Sequence, residues 1–309
     1  MSPTAPVQDR AEVLATRPVG AYTHLVLHSP AAARAARPGH FVACGTGDSG
    51  MLLRRSFSLH RADAELGTLE VVVAAAGPGT ALIAQLRRGQ RLSVTAPLGR
   101  PFPLPEPGTP AVLVGGGYGA APLGWLATVL RARGSRVDAV LGAASLDRLL
   151  GTTAVDARTA LDDVVDSVEV TTDDGSAGTR GRVTDVLPEV IDRAAHLGGG
   201  TPVVYACGPM PMLRAVHETT AAAGARSWLA VEESMACGIG VCMTCVLPVR
   251  GEDGRTRMVR TCTEGPTFAG DALRWDAIGP RGARVPEDAV GAPAPVAAPV
   301  AAAPLGDPA

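Results

Sequence analysis

The run from Glu232 to Cys245, EESMACGIGVCMTC, together with Cys262 in RTCTEGPTF, constrains this chain more than any other feature. Four of the six cysteines fall here, spaced C-x4-C-x2-C with a fourth after sixteen intervening residues. That is the plant-type spacing for a [2Fe–2S] cluster, with Cys237, Cys242, Cys245 and Cys262 as its ligands. Gly238 and Gly240 let the loop fold tightly and turn backbone N–H groups towards the sulfurs, where they offset the cluster's negative charge. A structural zinc site usually shows two separated CxxC knuckles, and only Cys242 and Cys245 form one, so zinc stands behind iron and sulfur, and two disulfides stand behind both. The start, MSPTAPVQDR, is polar and lacks an apolar core region, so a reducing, cytoplasmic compartment is expected.

A redox cluster needs partners to fill and empty it, and 309 residues leave space for two domains besides a cluster module. A formal net charge of −2 and scattered arginines argue against a nucleic-acid partner. With 46% hydrophobic residues the Ala-, Gly- and Pro-rich chain can still fill cores. The uncharged stretch Thr109 to Leu130 has the length of a membrane span, but GGGYGAAP in its middle breaks a helix, so no membrane insertion is expected.

From Arg10 to Leu104 short apolar runs separated by turn residues predict an antiparallel barrel or sandwich. One short helix is predicted at Thr80 to Leu86, after Gly77-Pro78-Gly79, with N-terminal amides suited to an anion. In RRSFS, alternation puts Arg55 and Phe57 on one face and Ser56 and Ser58 on the other. Arg55 suits a pyrophosphate, and the bland alternative is a surface Arg pair beside a core Phe.

The Pro-rich PEPGTP, Pro105 to Pro110, marks a domain boundary. Beyond it a buried strand at Ala111–Val114, a glycine turn and a helix from Pro122 to Arg133 read as the opening of a nucleotide-binding α/β domain. The turn departs from G-x-G-x-x-G, since Pro122 stands in the third glycine's place, yet it still allows a diphosphate close to the backbone. Strands at Val137–Ala143, Val168–Thr172 and Val203–Cys207, and helices near Val183–Ala195 and Met210–Ala223, imply a mostly parallel, doubly wound sheet. Cys207-Gly208 then lies at a strand's carboxyl end, where ligands bind; an inert buried thiol is the alternative. Ser145 and Arg148 are candidates for a 2′-phosphate, against a helix-start Ser and a surface Arg. His24 and His28 read as strand-face residues, and Glu232 and Glu233 as solvated carboxylates unless they act on cluster potential or docking. A hairpin with GEDG as its turn joins the third and fourth cysteines. The domain limits expected are 1–104, 105–225 and 226–275, followed by a disordered Pro/Ala-rich tail at 276–309.

R-x-F-S with a downstream G-x-G-T, then GGGxGxxPL with CGPxPM, then the four cysteines stand in a fixed order. Over about residues 8 to 275 that order resembles the ferredoxin-NADP reductase superfamily, and within it the electron transfer subunits of NAD-dependent, type B dihydroorotate dehydrogenases. The subfamily usually has Pro and an aliphatic residue where this chain has Ser56-Phe57. The resemblance implies an antiparallel β-barrel holding FAD, with Arg55, Ser56, Phe57, Ser58, Val72, Val73, Ala74, Gly79 and Thr80 at its site. It implies NAD across Gly115, Gly116, Gly117 and Gly119, with Cys207 and Gly208 near the nicotinamide. No catalytic acid or base is implied. The partner implied is an FMN-containing catalytic subunit, two of each subunit forming a heterotetramer that serves pyrimidine biosynthesis. Electrons would pass from FMN through [2Fe–2S] and FAD to NAD+. A related FAD/[2Fe–2S] NAD(P)H reductase serving ferredoxin, sulfide or another acceptor is the redox alternative, and a zinc-stapled nucleotide-binding regulatory module the non-enzymatic one.

Overall fold

The computed structural model describes residues 5–47, 49–152, 161, 163–279 and 282–292. The first six strands are β1 (Val7–Val19), β2 (Tyr22–His28), β3 (Phe41–Cys44), β4 (Arg55–Asp63), β5 (Thr68–Val73) and β6 (Arg91–Leu98). They close into an antiparallel barrel in the order β1-β2-β5-β4-β3-β6. The period-two pattern gives the barrel its core, as Leu25, Leu27, Leu69, Val71 and Val73 all turn inwards and are fully buried, and the pairing of β1 with β6 closes it. Each such side chain contributes roughly 1.5–3 kcal/mol. Register shifts between Val13 and Ala15, Phe41 and Ala43, and Leu59 and Arg61 supply the bends that closure needs. Two short helices, α1 (Pro30–Ala35) and α2 (Pro78–Ala84), fill the connections.

The second sheet is built from β7 (Ala111–Gly116), β8 (Val137–Ala143), β9 (Ser167–Thr172), β10 (Thr179–Arg180), β11 (Val203–Cys207) and β12 (Arg226–Ala230). Helices α3 (Leu123–Ala132), α4 (Val183–Gly198) and α5 (Met210–Ala222) are its longer connections. The near-continuous burial of β7, β8 and β11 is that of parallel strands covered on both faces. Helix α4 runs past its expected end near Ala195, because Gly199 supplies the left-handed cap at φ 74°. The chain starts in the middle at β7, winds outwards through β8 and β9, then crosses to β11 and β12. The switch point, where such sheets bind ligands, lies between β7 and β11.

The cysteine segment follows β12. Strands β13 (Val246–Arg250) and β14 (Thr256–Arg260) form the expected hairpin, with the Gly251 N–H bonded to the Arg255 carbonyl across its turn. A short helix α6 (Thr261–Glu264) follows, and β15 (Thr267–Ala269) then pairs antiparallel with β12, so the chain returns to the sheet it left. Two expectations need correcting. Residues 226–230 are a strand of the α/β sheet and not the start of a separate module, because WLA pairs with the apolar β11. The segment from 276 is ordered where it is described: β16 (Ile278–Gly279) pairs with β17 (Gly282–Ala283), Arg274 forms ion pairs with Asp276 and Asp288, and Ala289 is buried. Residues 293–309, the rest of the expected tail, lie outside the described residues. Among the described residues no helix is long and apolar enough to cross a membrane.

Candidate functional site

Three parts of the chain converge on one cavity of about 270 Å³. Ser56, Phe57, Ser58, Val72, Ala74 and Thr80 line it from the barrel, Tyr118 and Ala121 from the glycine turn after β7, and Glu232, Glu233 and Met235 from the approach to the cysteines. A second cavity of about 770 Å³ opens at the carboxyl ends of β7, β8 and β9, lined by Gly116, Gly117, Arg148, Asp173, Arg182 and Met212 among others. Ala74, Ala76 and Tyr118 line both cavities, so the two meet there.

Several residues singled out from the sequence come together here. Ser56 and Ser58 face the smaller cavity as alternation required, and Phe57 lines it while also packing against the barrel core. Arg55 lies over the first turn of α2, where a Cβ on Gly79 would meet its guanidinium, and it donates to the Leu53 carbonyl at 2.6 Å. Thr80 closes that turn by accepting from the Gly77 N–H at 3.0 Å. Val73 does not face the cavity: strand alternation turns it into the barrel core between Val72 and Ala74. Gly115, Gly119, Cys207 and Gly208 form the packed floor of the switch point. A Cβ on Gly119 would come within 2.5 Å of the Cys207 carbonyl oxygen, and one on Gly208 within 2.8 Å of the Met212 sulfur. The Cys207 thiol is buried, and burial pushes it well above its ordinary range. Ser145, a candidate for a 2′-phosphate, gives its hydroxyl to Asp147 instead, while Arg148 does line the larger cavity.

Tyr118 was not found by sequence reasoning, although GGGYG holds an aromatic where a turn needs none, and Glu232 was weighed only for cluster potential, docking or solvation. The Tyr118 hydroxyl donates to Glu232 Oε2 at 3.0 Å across 114 residues of sequence. Glu232 and Glu233 are therefore cavity walls, and the solvated reading of them does not stand. Burial pushes the Glu232 carboxyl above the usual range, against the pull of the Tyr118 hydrogen bond. A carboxyl raised in the folded state adds stability below its unfolded value and gives it up as pH climbs from there through the folded value. Glu232→Gln, which keeps an acceptor for Tyr118, is thus expected to raise the melting temperature at pH 8 and to have lost that advantage once pH falls below the unfolded carboxyl's value. A melting curve unchanged at pH 8 would contradict this.

The four expected cluster ligands also meet. The Cys237 sulfur receives the N–H groups of Ile239, Val241 and Cys242 at 3.4–3.5 Å, an arrangement that Gly238 and Gly240 permit at φ 71° and 82°. The Thr244 hydroxyl, 3.1 Å from the Cys242 sulfur, leads the contacts that hold that thiol down to about 6. Cys262 is brought beside Cys245 by Thr261, whose N–H and hydroxyl both donate to the Cys245 carbonyl, at 2.9 and 2.8 Å. Burial, and then Cys245, push the Cys262 thiol up to about 12. Amides turned towards the Cys237 sulfur and a hydroxyl beside the Cys242 sulfur form a donor set that fits a cluster, since such donors offset the negative charge its thiolates would carry. Cys245 and Cys262 pack with Phe41, Ala43, Leu98 and Met235 in one apolar layer.

Residues 232–274 match the iron–sulfur cluster binding domain of dihydroorotate dehydrogenase B, and residues 113–218 match the oxidoreductase NAD-binding domain. A dihydroorotate dehydrogenase B (NAD(+)) electron transfer subunit from Geobacillus thermodenitrificans is 37% identical over 271 residues, covering 86% of this chain and 98% of that protein. The chain belongs to the family of dihydroorotate dehydrogenase B electron transfer subunits. The subunit from Bacillus caldolyticus is 39% identical over 77% of this chain and 87% of its own length. Among solved structures, that of the NADH-dependent reduced ferredoxin-NADP oxidoreductase, a work on flavin-based electron bifurcation, superposes with a TM-score of 0.73 at 28% identity, covering 89% of this chain and 92% of that one. The superposition thus spans most of both chains.

Proposed function

We propose that this chain is the electron transfer subunit of an NAD-dependent dihydroorotate dehydrogenase. In this reading the smaller cavity takes the isoalloxazine ring of FAD, the larger one takes NAD, and the four cysteines hold [2Fe–2S]. Flavin chemistry is what such a chain needs, because nicotinamide exchanges two electrons at once and a cluster exchanges one at a time.

The observation that carries the reading is the shared wall. Phe41 and Met235 line the smaller cavity and also pack in the layer that holds Cys245 and Cys262, so one thickness of apolar side chain separates ring site from cluster site. On the other side Tyr118 is common to both cavities, which lets a nicotinamide reach the ring. Arg55 over the α2 turn suits the FAD pyrophosphate, and Arg148 and Arg182 suit that of NAD. Exposed Ile239, Val241 and Met243 surround the exposed Cys242, an apolar rim suited to an FMN-containing catalytic subunit, with two copies of each subunit in the assembly.

Reconstitution tests this. Orotate formation from dihydroorotate with NAD+ as acceptor is expected only when the chain, loaded with flavin and iron, is mixed with the catalytic subunit. If the mixture is no faster than the catalytic subunit alone, the reading fails.

A further inference from the structure

The smaller cavity is walled by β4 on the barrel side and by residues 118–121 on the other, and one side chain ties these walls together. His60, two residues beyond Ser58 on β4, places Nδ1 2.6 Å from the Ala121 carbonyl oxygen. A carbonyl only accepts, so Nδ1 carries the proton. The ring is 7% exposed, and burial lowers its affinity for a second proton. Ser58 and Ala121 themselves line the cavity.

Behind His60 lies a polar chain. Arg17 Nη2 and His24 Nδ1 are 2.8 Å apart, as are His24 Nε2 and Glu70 Oε2. A guanidinium has donors only, so His24 Nδ1 accepts and its Nε2–H points to Glu70. His24 meets His60 edge to face, with centroids 5.5 Å apart. His24, His60 and Glu70 bring their ligating atoms within 4.8 Å of one another, as a metal site would. A cation on His24 Nε2 would need a proton on Nδ1, where Arg17 already donates, so this group is a hydrogen-bonded brace. It draws on β1, β2 and β5 to support a histidine of β4. A separate contact holds the next loop, where Tyr22 donates to the Arg148 carbonyl at 2.7 Å.

We propose that His60 is a positioning residue for hydride transfer: through Ala121 it fixes the wall bearing Tyr118 against the wall bearing Ser56 to Ser58, and so sets how a nicotinamide in the larger cavity approaches a flavin in the smaller. The proposal rests on the cavity assignment above. Reacting rings misplaced by about 1 Å lose roughly 100-fold in rate, so a loosened wall shows in the transfer step before it shows in binding.

The test compares His60→Leu, which removes the donor, with His60→Asn, whose amide N–H takes the place of Nδ1–H, in the whole chain carrying FAD and the cluster. On anaerobic mixing with NADH, H60L is expected to bleach the flavin at least about tenfold more slowly, while the NADH concentration for half-maximal rate moves less than about threefold. H60L is also expected to lose the long-wavelength charge-transfer absorbance formed when NAD+ is added to the reduced protein, and H60N to retain both rate and band. A wild-type rate and band in H60L overturn the proposal, as does H60N behaving like H60L. Should H60L not fold, His60→Ala with and without added imidazole replaces it: recovery of the band supports the proposal, and no recovery overturns it. A wild-type chain that binds no flavin refutes the cavity assignment itself, and the proposal with it.

Discussion

Cys242→Ser should leave a folded yellow protein that has lost its cluster bands, still passes electrons from NADH to its flavin, and no longer supports orotate formation with a catalytic subunit. Cys242 is the exposed member of the proposed ligand set, whereas Cys245 and Cys262 are built into the apolar layer with Phe41 and Leu98. Replacing a sulfur at the surface therefore removes a ligand without opening a cavity, so loss of the cluster separates from loss of the fold. Neither the cavity proposed for the flavin nor the one proposed for NAD has Cys242 among its lining residues, so neither loses a wall. The measurements are the visible spectrum, iron and sulfide content, and the two activities side by side. An unchanged cluster spectrum would remove Cys242 from the ligand set, and loss of flavin together with the cluster would contradict the separation of the two sites.

Gly119→Ala should be the most damaging single methyl group at the switch point between β7 and β11. The added carbon would lie 2.5 Å from the Cys207 carbonyl oxygen and 2.7 Å from the Gly208 Cα, both backbone atoms that cannot turn aside. Relief requires the loop after β7 to separate from the loop after β11, which opens the switch point where the dinucleotide sits. Overpacking of this kind costs roughly 1–3 kcal/mol in stability. The expected loss in NADH-dependent flavin bleaching is larger, on the order of 100-fold, because the reacting rings are displaced together with the loop. Gly124→Ala on α3 is the control, since its nearest neighbour would be Leu161 Cδ1 at 3.9 Å. That change should be neutral or stabilising, since alanine is favoured over glycine within a helix by about 1 kcal/mol. Thermal unfolding and stopped-flow bleaching of both variants decide the matter; equal behaviour would show that the switch-point contact is not what limits the site.

What could be read from the sequence was local. Ligand spacing is set within one loop and one hairpin, so Cys237, Cys242, Cys245 and Cys262 could be proposed as ligands without a fold. The parallel strands β7, β8 and β11 announce themselves as continuous apolar runs because both their faces are covered. The residues alone left barrel and sandwich open, since closure depends on β1 pairing with β6 across the domain, and the barrel was expected from the resemblance. Not legible at all were the Tyr118 to Glu232 bond, which joins a turn to a strand end far along the chain, and His60 reaching Ala121. Asp138 shows the limit from another side. It lies in a predicted apolar strand and is fully buried, satisfied by Arg136 at 2.8 Å and by the Ser167 hydroxyl. Such a residue reads as an error in the pattern until its partners are in place.

The return of β15 to the edge of the α/β sheet has a consequence for how a chain of this kind can be rearranged. Because the cysteine segment leaves from β12 and comes back beside it, both of its ends are stapled into the same seven-stranded sheet. The segment is a detour within the nucleotide domain and cannot swing as a tethered carrier would. Cutting the chain ahead of it would strip the edge strand β15 from the sheet, and moving it elsewhere would need a new pair of anchors. On the proposed assignment the cluster site is thus anchored beside the flavin cavity, and a partner would have to come to it.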